Sequence, residues 1–118
     1  PGFAAWQAEK LVGLLTYRIE RGECEIVTLD SVIEKQGIGS ALVAAARDAA
    51  QKAGCARLWL ITTNDNLHAL RFYQKRGFCI AAVHRDAMAE ARKLKPGIAL
   101  IGMDGIPIRD ELEFEIVL

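Results

Sequence analysis

A glycine-bearing turn leads from an apolar strand pattern into an alanine-rich helix pattern at residues 34–42, which read Glu-Lys-Gln-Gly-Ile-Gly-Ser-Ala-Leu. Gly37 and Gly39 permit backbone φ values that other residues avoid, and they let a ligand approach the main chain closely. The first N–H groups of a helix lack intrahelical acceptors, and the helix dipole is positive there. The turn therefore predicts a phosphate-binding site, with a tight connection that binds nothing as the alternative.

Length and charge limit what the chain can do. Its 118 residues suffice for one domain with one core, and we expect a single domain over residues 1–118. No apolar run approaches the roughly 20 residues that a membrane helix needs, so we expect a cytoplasmic protein without a membrane partner. Lys and Arg together number 15, as do Asp and Glu, so no net basic field would attract nucleic acid.

The three cysteines, Cys24, Cys55 and Cys79, are odd in number and far apart. This spacing argues against a disulfide framework and against a CxxC metal site. We expect three buried, reduced thiols and no bound metal.

The first half of the chain predicts a strand at 2–6, an antiparallel pair at 11–19 and 24–29 joined by a turn, and then a helix at 38–53 closed by Gly54. The apolar run at 57–63 predicts a central strand covered on both faces.

The second half predicts a helix at 67–76 that follows the capping residues Asn64, Asp65 and Asn66, and a strand at 78–83. A third helix at 87–94 is expected to be capped by Asp86. A long connector at 98–110 precedes a strand at 111–116, in which strict alternation turns the glutamates outward and the apolar residues inward.

The helix at 67–76 carries a second motif, Asn-x-x-Ala-x-x-Phe-Tyr-x-x-x-Gly-Phe, which begins at Asn66. Asn66 and Tyr73 lie two turns apart, about 10.5 Å along one helix face, so one extended ligand can contact both. Ala69 leaves space between them. Core packing explains Phe72 and Phe78, and we expect function at Asn66 and Tyr73.

The order and spacing of the glycine turn and the Asn66 motif resemble the GNAT superfamily of acetyl-CoA-dependent N-acetyltransferases over about residues 11–83. The resemblance implies an α/β fold of the α+β kind, with a mixed, mostly antiparallel sheet, helices on both faces and a splayed central strand pair. It also implies acetyl-CoA as acetyl donor, no metal, and direct transfer to a primary amine of a small molecule or peptide. A homodimer is compatible with it.

The same resemblance assigns site residues. The backbone of one strand would bind the pantetheine arm, the glycine turn would bind the pyrophosphate, and the Asn66 helix would complete the cofactor site. The cofactor-binding residues implied are Val27, Thr28, Leu29, Lys35, Gln36, Gly37, Ile38, Gly39, Ser40, Ala41, Asn66, Ala69, Phe72 and Tyr73. Tyr73 would also be catalytic, because a phenol with a pKa near 10 can protonate the departing thiolate.

Three departures from the family pattern leave questions open. Glu34 stands where the family has Arg or Gln, so backbone donors must bind the pyrophosphate, with Lys35 offsetting the carboxylate. Some relatives carry a glutamate base in the strand that follows the glycine turn and its helix, and the matching position here is Ile61. We expect Glu25 as the catalytic base, or Glu23 if residues are counted from the glycines without gaps, with a solvated strand-edge carboxylate as the alternative for either.

The third departure is that we expect this domain to lack the strand and two helices with which members of the family usually begin. The long segment 84–110 is also unusual for the family. It is either a lid or acceptor wall, with Arg109 and Asp110 as polar contacts, or an ordered surface connection.

Two other functions fit parts of the sequence. A catalytically silent acyl-CoA-binding or regulatory module is the main alternative to an enzyme. A nucleotide-binding βαβ unit is disfavoured, because Leu42 occupies the third glycine position and no acidic residue ends the following strand.

Overall fold

A computed structural model describes residues 1–7, 9–31 and 37–118. The elements in chain order are β1 (Gly2–Gln7), β2 (Lys10–Glu20), β3 (Glu23–Ser31), α1 (Ile38–Lys52), β4 (Arg57–Thr63), α2 (Leu67–Lys75), β5 (Cys79–His84), α3 (Ala87–Leu94), a 3-10 turn (Met103–Gly105) and β6 (Glu111–Val117). These bounds agree with the predicted elements to within one residue, except that β3 extends two residues further, to Ser31.

The described residues form two compact units, residues 1–60 with 117–118, and residues 61–116. The strand order is β1-β2-β3-β4 in the first unit and β4-β6-β5 in the second, since β4 crosses the boundary. Most strand pairs are antiparallel and β3 pairs with β4 in parallel. The predicted mixed, mostly antiparallel α/β fold is confirmed. A single domain over 1–118 stays a prediction.

A two-residue turn closes the β2–β3 hairpin. Glu20 pairs with Glu23 across it, and the two residues between them, Arg21 and Gly22, have φ values of 54° and 75°. Two successive positive φ values match the right-handed twist of the strands, which is why such turns favour glycine. The predicted antiparallel pair is confirmed.

The β2–β3 register shifts by one residue, so that Thr16 faces Thr28 while Tyr17 faces Ile26, and Val27 is left without a partner on β2. An unpaired extra residue of this kind bends its strand and increases the local twist. The parallel pairing of β3 with β4 comprises only Cys24 with Leu58 and Glu25 with Trp59 among the described residues. The two strands β3 and β4 therefore separate beyond Glu25, as expected for the splayed central strand pair that the resemblance implied.

Helix α1 covers one face of the first unit's sheet. Side chains on that face are buried, and they include Leu15, Cys24, Ile26, Leu58 and Leu60. Burial of each such side chain contributes about 1.5–3 kcal/mol. A Cβ on Gly13 would lie 2.6 Å from Cγ2 of Ile38, so glycine at this position lets the start of α1 approach the sheet closely.

Burial alternates along β4, because Leu58 and Leu60 are buried while Ile61 is exposed. The prediction that both faces of this strand are covered is therefore wrong. Arg57 and Trp59 are half-buried and occupy the face opposite Leu58. The apolar run was misleading because Trp59 and Ile61 are apolar residues on the open face.

In the second unit, β6 pairs antiparallel with β5, with Ile80 opposite Phe114. Phe114 is fully buried and Ile116 is buried, which confirms the inward side of the predicted alternation. The ring of Tyr73 on α2 packs at 5.2 Å from the ring of Phe78 and at 6.4 Å from that of Phe114. Aromatic packing is thus the centre of this unit.

Asn64 fixes the end of the long connector. Its Oδ1 accepts hydrogen bonds from the backbone N–H groups of Arg109 and Asp110, both at 3.0 Å, and its Nδ2 donates to the carbonyl of Pro107 at 2.9 Å. Asp65 accepts from the N–H of Met103 at 3.3 Å. The segment is an ordered connection, and a role as lid or acceptor wall stays a prediction.

Two local predictions are wrong. Asp86 precedes α3 in the left-handed conformation, with φ 55°, and makes no side-chain cap; its own N–H instead donates to Oδ1 of Asp110 at 2.9 Å. That hydrogen bond lowers the pKa of Asp110. Cys79 is exposed, whereas Cys24 and Cys55 are buried and free as expected. Burial is the main reason that the pKa of Cys24 rises to about 11.

Two findings concern the described residues alone. None of their helices is long and apolar enough to cross a membrane. They also contain no group of three or more His, Cys, Asp or Glu side chains arranged to hold a metal ion.

The Asp65 contact predicts a stability effect at Gly102. An alanine Cβ there would collide with Oδ2 of Asp65 and lie 2.9 Å from Cγ1 of Ile108. We expect Gly102→Ala to reduce the free energy of unfolding by about 1–3 kcal/mol, the usual cost of overpacking. Gly97→Ala is the matched control, because its Cβ would meet nothing within 4 Å. Equal stability of the two variants in urea unfolding would contradict the described packing.

Candidate functional site

The turn before α1 has the geometry that an anion site needs. Gly37 is the N-cap residue, with φ 71° and ψ 11°, a left-handed conformation that favours glycine. The N–H of Ala41 donates to the carbonyl of Gly37 at 3.0 Å and begins the helical pattern. No acidic side chain lies in the first turn, so nothing described there opposes the positive end of the helix dipole.

The predicted residues of this turn differ in surroundings. Gly39 is buried, Ile38 and Ser40 are half-buried, and Ala41 is exposed. Glu34, Lys35 and Gln36 lie outside the described residues. The backbone donors that remain suit a phosphate group, and anion binding by the main chain stays a prediction.

The predicted pantetheine strand coincides with the bulge in β3. Val27 is 52% exposed, Thr28 is exposed and Leu29 is half-buried. The hydroxyls of Thr16 and Thr28 lie 2.7 Å apart across β2 and β3. Among the described residues, β4 pairs with none of these three β3 residues. Their strand edge is thus suited to hydrogen-bond an extended ligand.

Glu25, the predicted base, lies two residues before the bulge. Its Oε1 accepts a charge-assisted hydrogen bond from Nη2 of Arg18 at 2.6 Å, and its side chain is only 18% exposed. Within the described part of the chain, Oε2 has no hydrogen-bond partner. The carboxylate is therefore held in place by one oxygen while the other remains available, unlike the solvated carboxylate of the alternative interpretation.

Glu23, the other candidate base, is held by a different arginine. Arg57 donates to its two carboxylate oxygens, from Nε at 3.0 Å and from Nη2 at 3.4 Å. The same guanidinium lies 4.9 Å from the centre of the Trp59 ring, a cation–π distance. Both oxygens of Glu23 are thus occupied, which favours Glu25 over Glu23 as a proton acceptor.

Helix α2 uses Asn66 as its N-cap. Oδ1 accepts from the N–H of Ala69 at 3.2 Å, which satisfies one of the free donors of the first turn. The Nδ2 group has no protein acceptor among the residues that the structure describes. One end of the carboxamide is structural and the other remains available to a ligand, so the cofactor role of Asn66 stays a prediction.

The environments of Tyr73 and Phe72 are the reverse of those predicted, since Phe72 was expected in the core and Tyr73 at a binding face. Tyr73 is 6% exposed and its ring contacts Phe72 edge-on at 5.0 Å, so it is a core residue. Phe72 is half-exposed, and the guanidinium of Arg76 lies 3.7 Å from its ring centre. The expectation that Phe72 is a core residue is wrong.

Burial also changes the chemistry of Tyr73. Loss of hydration disfavours the phenolate and raises the pKa of Tyr73 to about 12, an effect that nearby Arg76 partly opposes. The expected pKa near 10 is therefore too low. At neutral pH the phenol keeps its proton, so Tyr73 does not serve as a base, and its raised pKa makes release of that proton less favourable than from a free tyrosine.

Arginine and tryptophan side chains around Glu25 were missed at the sequence level. Arg18 lies opposite Glu25 and Trp59 lies beside it because of the strand register. That register follows from the two-residue turn at 21–22, which the sequence indicated only as a longer turn. Alternation counted back from a two-residue turn would have paired Arg18 with Glu25.

Comparisons with known proteins agree with this geometry. A model described as the acetyltransferase (GNAT) family matches residues 1–78. The chain is 48% identical over 118 residues to the uncharacterized protein YdhI of Bacillus subtilis (strain 168), which covers 99% of this chain and 74% of YdhI. It is 33% identical over 87 residues to the uncharacterized N-acetyltransferase YvbK of the same organism, covering 71% of this chain and 56% of YvbK.

A crystal structure of a Bacillus subtilis acetyltransferase in complex with CoA resembles this one, with a TM-score of 0.83 and 30% sequence identity. The match covers 98% of this chain and 74% of that one. The two folds thus agree over nearly all of the chain.

The buried phenol predicts a dependence of stability on pH. The pKa of Tyr73 is raised in the folded state, so its contribution to stability is complete below the unfolded value near 10 and is lost as pH rises toward 12. We expect the free energy of unfolding to fall by about 1.4 kcal/mol per pH unit in that window. Tyr73→Phe should lack this loss and match the unmutated chain's curve at lower pH. Parallel urea-unfolding curves for both proteins from pH 8 to 12 would contradict the assignment.

Proposed function

The chain belongs to the acetyltransferase (GNAT) family, and on this premise we propose that it transfers an acetyl group from acetyl-CoA directly to a primary amine of a small molecule or peptide. The observation that carries the proposal is the left-handed Gly37 immediately before α1, with no acidic side chain in the first helical turn. The glycine turn is one of the two motifs on which the predicted function depends, and the Asn66 motif is the other. The cytoplasm is the proposed location, and the protein acts as a monomer or homodimer.

The glycine turn would hold the pyrophosphate of the donor. The N–H groups at the start of α1 would bind its oxygens, supported by Lys35 and Gln36 from the preceding residues. The bulged edge of β3 at Val27–Leu29 would hydrogen-bond the pantetheine arm through its backbone. Acetyl-CoA, when bound, supplies the acetyl group as an activated thioester.

Tyr73 is the proposed general acid. Its Oη carries a proton across the physiological range, as any tyrosine hydroxyl does, and its pKa of about 12 makes it a weaker acid than a free tyrosine. The same proton is donated to the departing sulfur atom as the thioester bond breaks. The rings of Phe72 and Phe78 fix the orientation of the phenol. Asn66 and Ala69 contribute the remaining cofactor contacts on this helix.

Glu25 is the proposed general base. Its Oε1 is fixed by Arg18, and Oε2 would accept the proton that an ammonium must lose before it can attack a carbonyl carbon. Fixing one oxygen with a short charge-assisted bond reduces the rotational freedom of the carboxylate. The geometry thus supports a proton acceptor that is held in one orientation before the substrate binds.

The alternative function is a silent acyl-CoA-binding module. The observation that favours it is that Oε1 of Glu25 and both oxygens of Glu23 already have arginine partners. Such a protein would bind the donor and fail to release thiol with any amine. Turnover, and not binding, distinguishes the two functions.

Gly39→Glu tests the anion site. A carboxylate in the first turn of α1 opposes bound phosphate through both its charge and its volume, so we expect acetyl-CoA binding to weaken at least 100-fold by calorimetry. Ala44→Glu is the control for charge, since it adds the same charge at an exposed position of the same helix. Because Gly39 is buried, the comparison requires that both variants keep cooperative thermal unfolding. Equal acetyl-CoA affinities in the two variants would refute the site.

Tyr73→Phe tests the general acid. Removal of the hydroxyl leaves the aromatic packing in place, so we expect kcat to fall about 100-fold, with little change in acetyl-CoA affinity. Thiol release with a panel of primary amines is the measurement. An unchanged kcat would exclude the acid role. Binding of acetyl-CoA without thiol release for any amine, in the unmutated chain, would establish the silent module instead.

A further inference from the structure

A charged pocket opens on the first unit's sheet, on the face opposite α1. Its volume is about 280 Å³, and it is lined by Arg18, Glu20, Arg21, Glu23, Glu25 and Trp59. Pockets for drug-sized ligands typically measure roughly 300–1,000 Å³, so this one suits a smaller molecule. It combines three carboxylates, two guanidinium groups and one aromatic wall.

The negative side of the pocket is incompletely neutralised. Glu20 and Glu23 lie directly opposite each other across the hairpin, where like charges repel. Arg18 bonds Glu25 at 2.6 Å and approaches Glu20 only to 3.9 Å. Arg18 thus leaves Glu20 without a close cation among the described residues, and an ammonium group between Glu20 and Oε2 of Glu25 would supply the opposite charge, which makes that side of the pocket suited to a cation.

The positive side is Arg21, at the tip of the hairpin. Its φ of 54° belongs to the two-residue turn, so the turn fixes the position from which the side chain extends over the pocket. Among the described residues Arg21 has no ion-pair or hydrogen-bond partner. The three carboxylates of the pocket lie closest to other arginines. The guanidinium of Arg21 is therefore available to an acidic group of a ligand.

We propose that this pocket binds the acceptor, and that the acceptor is a small zwitterionic amine of the free amino acid class. Its ammonium lies between Glu20 and Glu25, its acidic group binds Arg21, and its carbon skeleton packs on Trp59. The proposal rests on the acetyl transfer proposed above and narrows its acceptor.

The position of the pocket along β3 suits this role. Glu25 lies two residues before Val27, a separation of about 7 Å along a strand. An amine beside Glu25 is thus within reach of an acetyl group held by the backbone near Val27. Transfer forms the nitrogen–acyl carbon bond and breaks the carbon–sulfur bond. The ammonium loses two protons, one through Glu25 to solvent and one that balances the proton given to the thiolate.

Substrate comparison provides the first test. We would measure thiol release with free amino acids and with the corresponding α-amides, which keep the amine and lose the acidic group. We expect kcat/KM to be about tenfold or more higher for the acids. Equal or higher values for the amides would overturn the zwitterion proposal while leaving acetyl transfer intact.

Arg21→Gln provides the second test, with Arg47→Gln as the matched control, because Arg47 is an exposed arginine on α1 away from the pocket lining. We expect Arg21→Gln to raise KM for the preferred amino acid about tenfold, with kcat and acetyl-CoA affinity unchanged. The α-amide should not distinguish the two variants. A KM equal to that of Arg47→Gln would refute the assignment of Arg21.

Binding measured without turnover separates this proposal from the proposed function. Trp59 lines the pocket and the only other tryptophan is Trp6, so a Trp6→Phe background isolates the emission of Trp59. A saturable change in that emission with a free amino acid, abolished by Arg21→Gln, supports the pocket even if no acetyl transfer is found. Thiol release from amino acids with no change in the emission of Trp59 would overturn the pocket and retain the transferase.

Discussion

The register between β2 and β3 determines what the first unit can do. It places Cys24 and Ile26 under α1 and turns Glu23 and Glu25 to the opposite face. Because side chains alternate along a strand, a slip of one residue would bury the glutamates and expose the core. The unpaired Val27 then interrupts the in-and-out alternation of side chains along β3. Glu23 and Glu25 lie before this bulge, and the backbone edge that β4 leaves unpaired in the described part of the chain begins at it. Core packing and site chemistry thus depend on the same few hydrogen bonds.

In the second unit one side chain, Tyr73, is both a core residue and the proposed general acid. Tyr73 contacts Phe72, Phe78 and Phe114, and this packing both orders the aromatic centre and removes water from the phenol. Exclusion of water raises the pKa of Tyr73, which makes the phenol a weaker acid than a free tyrosine. The same packing holds the ring in one orientation. Burial thus favours the orientation of the proposed acid and lowers its acidity.

Secondary structure and the two motifs could be predicted from the sequence because both depend on local spacing. Apolar periodicity fixed the bounds of α2 to one residue, and the residues after a strand predicted the cap at Asn66. Tertiary contacts were less accessible. Phe72 and Tyr73 are adjacent aromatic residues, and helical phase alone did not distinguish which of them faces Phe114. Likewise Asp86 resembles a cap in sequence, but its N–H is drawn to the carboxylate of Asp110.

The charged pocket could not be predicted from the sequence, because it depends on strand register. The tight turn at Arg21 and Gly22 sets the charged residues of β2 and β3 opposite one another, and the pairing of β3 with β4 brings Trp59 beside them. That turn places Glu20 beside Glu23, although an opposite charge would be more stable there. Arg57 and Arg18 compensate Glu23 and Glu25, while Glu20 has only a distant partner. The proposed zwitterionic ligand carries one positive and one negative group. A surface that binds such a ligand is expected to keep, as the described residues do, both an uncompensated carboxylate, Glu20, and an unpaired guanidinium, Arg21, because the ligand supplies the missing opposite charges.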